Sequence, residues 1–123
     1  MSTTKDITTP AEVRMCLEDL YARLLADELL AHHFKHLDLR SHLPRIAAFW
    51  EMVLFGARGF DGDVMGKHLE MNRLRPITAD HMERWLLHFH ATLDDHFSGP
   101  KVQEAKDRAR NIAALMLVKM GAS

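Results

Sequence analysis

The sequence has a single cysteine, few aromatic residues, no long apolar run and almost no net charge. Cys16 cannot form an internal disulfide, and its place in an apolar periodic run predicts a small core residue. No stretch approaches the roughly 18 apolar residues of a membrane span, and residues 1–9 contain no apolar run like that of a signal peptide. We therefore expect a cytoplasmic protein without a membrane partner.

The charge balance argues against nucleic acid as a partner. Sixteen Lys and Arg residues are matched by seventeen Asp and Glu residues, which gives a formal net charge of -1. No cluster of basic residues is dense enough to follow a phosphate backbone. With 123 residues, of which 47% are hydrophobic, the chain has the size and composition of one globular domain with a core of its own.

The first third of the chain carries helical signals. Thr9 and Glu12 are spaced as a capping box at a helix start, with a proline between them where its missing N–H costs nothing. The apolar stripe that follows has helical spacing and includes Tyr21, which is expected to face the core. Asp27 is predicted to cap a short second segment over residues 28–33, which brings Phe34 to its end.

The rest of the chain also has helical periodicity, and no segment alternates as a strand does. The predicted boundaries are a connection over 35–40, a cap at Ser41, an end at Gly56, a short helix over 63–71, a cap at Thr78 and a start at Pro100. Five or six helices of unequal length predict an all-α globular domain over residues 10–123, after a flexible segment at residues 1–9.

Nine histidines are the unusual feature of the composition. His32 and His36 lie four residues apart and could share a metal ion if that segment is helical. A zinc site needs about three or four protein ligands, however, and the nearby candidates His33 and Asp38 are expected to point elsewhere. The sequence also lacks the common hydrolase and phosphate-binding motifs. A dedicated zinc site and hydrolytic chemistry are therefore disfavoured.

His68 lies among apolar neighbours on the short helix that follows a glycine-rich loop. Met65, Leu69 and Met71 surround it in the sequence, and no carboxylate is placed to complete a metal site. An imidazole in such surroundings suits axial ligation of haem iron, where the porphyrin supplies the other four nitrogens. The spacing alone favours an ordinary core or surface histidine.

Three further side chains place hydrogen-bond donors on otherwise apolar helical stripes. Tyr21, His42 and Trp85 would be costly to bury unless each found a polar partner. Each could be a core residue with an ordinary partner of its own. A polar diatomic ligand on haem iron would serve all three at once, and with His68 and Phe34 they form one constellation.

These residues resemble the truncated haemoglobins, and within them group III. The resemblance covers about residues 12–118 in the family's order. It rests on Leu20, Tyr21, Phe34, His42, Ile46, Phe49, Trp50, the run from Gly62 to Leu69, and Trp85. The glycine pairs that mark groups I and II are not evident. Leu20 and Phe60 depart from the aromatic and the tyrosine often found at their positions.

The resemblance implies a two-over-two helical sandwich that encloses haem b. His68 would be the proximal iron ligand and Phe34 would pack on the porphyrin. Tyr21 and Trp85 would donate hydrogen bonds to a bound ligand, while His42 would control its access. Ile46, Phe49 and Trp50 match positions in the pocket wall. We also expect haem contacts from apolar residues beside His68 and on the last two helical stripes, namely Met65, Leu69, Met71, Phe89, Ile112 and Met116.

Three functions follow as hypotheses. The first is a haem protein that binds dioxygen, NO or CO at a pentacoordinate or weakly hexacoordinate iron. The second is a haem enzyme for nitric oxide dioxygenation or peroxidase-like chemistry, which would need a separate reductase because the chain contains no reductase domain. The third is a helical interaction domain without a cofactor. We expect a monomer or a weak oligomer in each case.

Overall fold

The computed structural model describes residues 4–58, 60 and 62–120, and these residues form six helices and no strand. The helices are α1 (Pro10–Ala26), α2 (Ala31–Phe34), α3 (Leu39–Phe55), α4 (Val64–Leu74), α5 (Ala79–His96) and α6 (Pro100–Met120). The predicted all-α class is confirmed. Residues 59 and 61 of the glycine-rich loop lie outside the described residues, as do residues 1–3 of the predicted flexible segment and residues 121–123 of the predicted domain.

The long helices form two layers. Helices α1 and α3 pack together in one layer and α5 and α6 in the other, and the layers meet where α1 contacts α5 and α3 contacts α6. The short helix α4 packs on α6. This arrangement confirms the predicted two-over-two sandwich. Within the described part of the chain, no helix is both long enough and apolar enough to cross a bilayer.

The segment before α1 contacts the start of α6. The carboxylate of Asp6 accepts hydrogen bonds from the backbone N–H groups of Lys101 at 2.8 Å and Val102 at 3.1 Å. It thereby satisfies two donors that a helix start leaves without intrahelical partners. The side chain of Ile7 is 2% exposed and belongs to the main core. We expected this segment to be flexible. Its described part instead caps the start of α6 through Asp6.

The capping signals at Thr9 and Thr78 predicted two helix starts correctly. Thr9 Oγ1 accepts from the N–H of Glu12, whose carboxylate accepts from the N–H of Thr9. Thr78 forms the same reciprocal pair with His81, whose ring replaces the usual carboxylate. These boundaries depend on hydrogen bonds within four residues, so a local pattern was sufficient to find them.

The boundaries around α2 and the start of α3 were predicted incorrectly. Asp27 accepts from the N–H of Leu29, but α2 itself begins only at residue 31. Asp38 rather than Ser41 caps α3, because its carboxylate accepts from the N–H of Arg40. The Ser41 hydroxyl lies inside the helix and donates to the Asp38 carbonyl at 3.1 Å.

This earlier start moves Pro44 into the second turn of α3. Proline has no N–H to donate, so the carbonyl of Arg40 lacks its usual intrahelical partner there. Gly56 ends the helix as predicted, with φ of 68° in the left-handed region and its N–H bonded to the Met52 carbonyl. Glycine suits this position because a side chain would strain the left-handed backbone.

Candidate functional site

A mainly apolar cavity of about 660 Å³ is bounded by all six helices. Its volume is within the range of roughly 300–1,000 Å³ typical of small-molecule and cofactor pockets. Eleven of the predicted site residues line it: Tyr21, Phe34, His42, Ile46, Phe49, Trp50, His68, Met71, Trp85, Ile112 and Met116. Residues that the sequence predicted to lie on different helices therefore meet at one cavity.

On α4, one face of the helix reaches the cavity and another does not. Val64, His68 and Met71 follow one another at helical spacing and all line the cavity. Met65 and Leu69 are each one residue further along, which turns them about 100° away. Neither contributes to the cavity wall, and Met65 packs instead on the smaller apolar cluster between α5 and α6. We therefore withdraw both as contacts of a ligand in this cavity.

Phe89 was also predicted to touch the haem, but it lies in the core behind the cavity wall. Its side chain is 5% exposed, and its ring stacks on that of Trp85 with 5.0 Å between centroids and an interplanar angle of 17°. The centroid of the Trp50 ring also lies 5.0 Å from that of Phe89, with an interplanar angle of 32°. Phe89 thus supports two residues of the wall without reaching the cavity itself.

Several polar residues of the wall were not identified from the sequence. These are His33, Arg45, Asp63, Lys67 and His81. Arg45 and Lys67 are exposed, so they are cations at the cavity edge. Nothing in the sequence distinguishes them from other solvated charges. The apolar wall residues Met82, Ala109 and Ala113 are buried on the inward faces of α5 and α6.

A capped helix start positions His68. The Asp63 carboxylate accepts from the N–H of Gly66 at 2.9 Å and so caps α4. A side chain at position 66 would collide with that carboxylate, which gives the glycine in this helix a structural reason. One and a half turns later, His68 reaches the cavity wall with its ring half-buried.

The hydrogen bond of His68 fixes its tautomer. Nδ1 lies 2.8 Å from the backbone carbonyl of Val64, and since a carbonyl only accepts, Nδ1 carries the proton. The lone pair on Nε2 is then free, and no described residue lies within hydrogen-bonding distance of it.

Tyr21 and His42 form a polar pair in the same cavity. The Tyr21 hydroxyl lies 3.0 Å from Nε2 of His42, and the two rings meet edge to face. Burial raises the pKa of Tyr21, so the phenol stays protonated. Burial also lowers the pKa of His42, and the nearby cation of Lys67 adds to this effect. Two neutral groups therefore share this bond, and either can be its donor.

Two further aromatic residues complete this part of the wall. The ring of Phe34 meets that of Tyr21 edge to face, with 5.7 Å between centroids and an interplanar angle of 84°. The indole ring of Trp85 is half-buried on the cavity wall, and its N–H has no hydrogen-bond partner among the described residues. A ligand in the cavity could accept from this N–H without displacing another partner.

The histidines considered as a metal pair are arranged differently from the prediction. Within the described part of the chain, the exposed His36 belongs to no cluster of metal-ligating groups, whereas His32, His33 and His81 offer ring nitrogens within 4.8 Å of one another. The prediction that His33 points away from His32 was wrong, because their ring centroids are 4.0 Å apart. The four-residue helix α2 turns both rings toward α5, and His81 was separated too far in sequence to be considered.

Comparisons with known proteins agree with this fold. The sequence model of the bacterial-like globin family matches residues 5–118. Among solved structures, the crystal structure of group III truncated hemoglobin from Campylobacter jejuni is similar, with a TM-score of 0.84 and 21% sequence identity. The alignment covers 96% of this chain and 95% of that one. No curated protein matches the sequence. The chain belongs to the bacterial-like globins, with the fold of a truncated haemoglobin.

Proposed function

We propose that this globin is a group III truncated haemoglobin that holds haem b in the cavity, with Nε2 of His68 as the iron ligand. The observation that carries the proposal is the tautomer of His68. Its Nδ1–H is bonded to the Val64 carbonyl, and the remaining lone pair belongs to a ring on the wall of a mainly apolar cavity. Backbone carbonyls commonly orient metal-binding histidines in this way and raise their basicity.

The other residues of the cavity suit a porphyrin. A porphyrin is flat and apolar, and Phe34, Ile46 and Met116 supply apolar surface from three different helices. Haem b also carries two carboxylates at one edge. The exposed cations Arg45 and Lys67 at the cavity edge can pair with them while leaving the carboxylates in water. The cavity thus offers a ligand atom, an apolar interior and a positively charged rim.

When bound, haem supplies an iron atom that can take a diatomic ligand such as dioxygen, NO or CO. Tyr21 and Trp85 are the donors available to such a ligand. If His42 donates to the Tyr21 oxygen, the phenol proton is free to turn toward the ligand. Since the pKa of Tyr21 is raised and that of His42 lowered, both rings can hold these positions without charge near neutral pH.

His42 is placed to control ligand access. It is half-buried and lies at the end of the first turn of α3, two residues before Pro44, which removes one intrahelical hydrogen bond. The only hydrogen bond described for its ring is the one to Tyr21, so breaking that bond frees the ring to rotate. We propose that rotation of this ring opens a path from solvent toward the donors Tyr21 and Trp85.

Absorption spectroscopy tests the assignment of the iron ligand. The purified protein should show an intense Soret band, and His68→Ala should lose it or shift it to that of a weakly held haem. His36→Ala is the matched control, because His36 is exposed and does not line the cavity. A Soret band unchanged in His68→Ala would exclude His68 as the ligand, and its absence from the unaltered protein would exclude haem binding.

A further inference from the structure

A second group of potential metal ligands lies between α2 and the start of α5. The ring centroids of His33 and His81 are 4.6 Å apart, and those of His32 and His81 are 5.5 Å apart. One nitrogen from each of the three rings falls within 4.8 Å of the others. The cluster contains only imidazoles, so it suits zinc-like transition metals better than Ca²⁺ or Mg²⁺, which prefer oxygen ligands.

His33 supplies an independent sign that a ligand is missing from this cluster. The residue is 4% exposed, and its Nε2 donates to the Pro76 carbonyl at 3.2 Å. The proton on Nε2 leaves a lone pair on Nδ1, and that atom is buried without a hydrogen-bond partner among the described residues. A buried acceptor without a partner is costly, and a metal ion would satisfy it. The carbonyl bond also resembles the bonds that orient histidine ligands in metal sites.

We propose that His32, His33 and His81 bind one divalent transition-metal ion of the zinc class, with a water molecule as the fourth ligand. Three protein ligands and one open position form a common zinc geometry. His33 and His81 also line the large cavity, so the ion would lie at its wall. This site is separate from His68 and does not depend on haem binding.

Binding requires small rearrangements that the structure permits. In a tetrahedral zinc site the nitrogens are about 3.4 Å apart, so the three rings must close by roughly 1 Å. His32 is exposed and free to rotate. His81 must give up its bond from the Thr78 N–H, because that bond and a metal–Nε2 bond need opposite tautomers. Thr78 is exposed, so water can replace the lost acceptor.

Calorimetric titration of the full chain, purified with any cofactor it carries, with zinc chloride tests the site. We expect one ion per chain, and His32→Ala should weaken the affinity by roughly tenfold or more, since it removes one of three ligands. His81→Gln should weaken it similarly. The exposed His36 lies four residues from His32, so His36→Ala is the matched control and should change the affinity by less than about twofold.

Zinc X-ray absorption of the 1:1 complex identifies the ligands directly and needs no variant that might fail to fold. We expect three imidazole nitrogens at about 2.0–2.1 Å and one oxygen. The absence of zinc binding, equal zinc binding by His32→Ala and the unaltered protein, or equal losses in His32→Ala and His36→Ala would each overturn the proposal. So would an X-ray absorption spectrum with one imidazole or none, which would indicate binding to scattered surface groups.

Discussion

Replacing Tyr21 by Phe removes the hydroxyl group that we propose donates to an iron-bound ligand, and it changes little else. The ring is 6% exposed, and phenylalanine keeps its packing against Phe34. The lost group is the one that lies 3.0 Å from Nε2 of His42. His42 is only half-buried, so water can replace the hydroxyl there. We expect the free energy of unfolding to fall by about 1 kcal/mol, the usual worth of a neutral hydrogen bond.

The effect on ligand release should be larger than the effect on stability. Dioxygen held by haem iron carries partial negative charge, and hydrogen bonds to charged acceptors are worth about 1.5–3 kcal/mol. Each 1.4 kcal/mol corresponds to a factor of about ten in an equilibrium or rate ratio. If the whole loss appears in dissociation, oxygen should leave Tyr21→Phe about 10 to 100 times faster than it leaves the unaltered protein.

Stopped-flow mixing of the oxygenated protein with excess CO measures this dissociation rate. Carbon monoxide release, which involves a less polar ligand, should change much less and serves as the internal control. The variant Trp85→Phe tests the second donor in the same assay. An oxygen dissociation rate within about twofold of the unaltered value in Tyr21→Phe would remove the hydroxyl from the proposed role, because it corresponds to less than about 0.5 kcal/mol.

Three other predictions concern stability and reactivity. Asp63→Ala removes the cap of α4 and should lower the free energy of unfolding by about 0.5–2 kcal/mol in urea titrations; an unchanged midpoint would show that the cap is dispensable. Hydrogen bonds from Arg23 to Asp19 and from His88 to Asp27 hold the pKa values of both carboxyls below their ordinary value. Because the folded-state pKa is the lower one, this stabilisation is complete above the unfolded-state pKa of about 3.9 and disappears as the pH falls through the folded-state values. Urea midpoints measured down to about pH 3 should decline less steeply in the Asp19→Asn, Asp27→Asn double variant, and parallel curves would refute the linkage. Burial raises the pKa of Cys16 to about 12, so a disulfide reagent should modify the folded protein far more slowly than the urea-unfolded chain; equal rates would contradict the buried position.

Much of the fold could be predicted because its signals are local. The capping boxes at Thr9 and Thr78 and the glycine at position 56 each act through hydrogen bonds or backbone angles within a few residues. Their helix boundaries were therefore predicted correctly. The start of α3 was missed because Asp38 and Ser41 are both good capping residues, and capping preference alone does not choose between them.

The proposed site was predictable only in part. Tyr21, His42 and Trp85 were recognised because polar groups on apolar stripes are unusual, and His68 because of its apolar neighbours. Met65 and Leu69 were also predicted because they are close to His68 in the sequence. On helix α4, however, they lie on a face that does not reach the cavity. Choosing between adjacent faces of a short helix requires knowing what it packs on, and the sequence of α4 is apolar on more than one face.

The sequence by itself determined the helical class, several helix ends and the residue types capable of holding a cofactor, because these follow from periodicity and from contacts within one or two turns. Only the tertiary structure decided which distant residues meet. It placed the Tyr21 hydroxyl against His42, the Asp6 carboxylate on the start of α6, and His81 beside His33, 48 positions earlier in the chain. Such contacts depend on how whole helices pack, and no local pattern specifies that geometry.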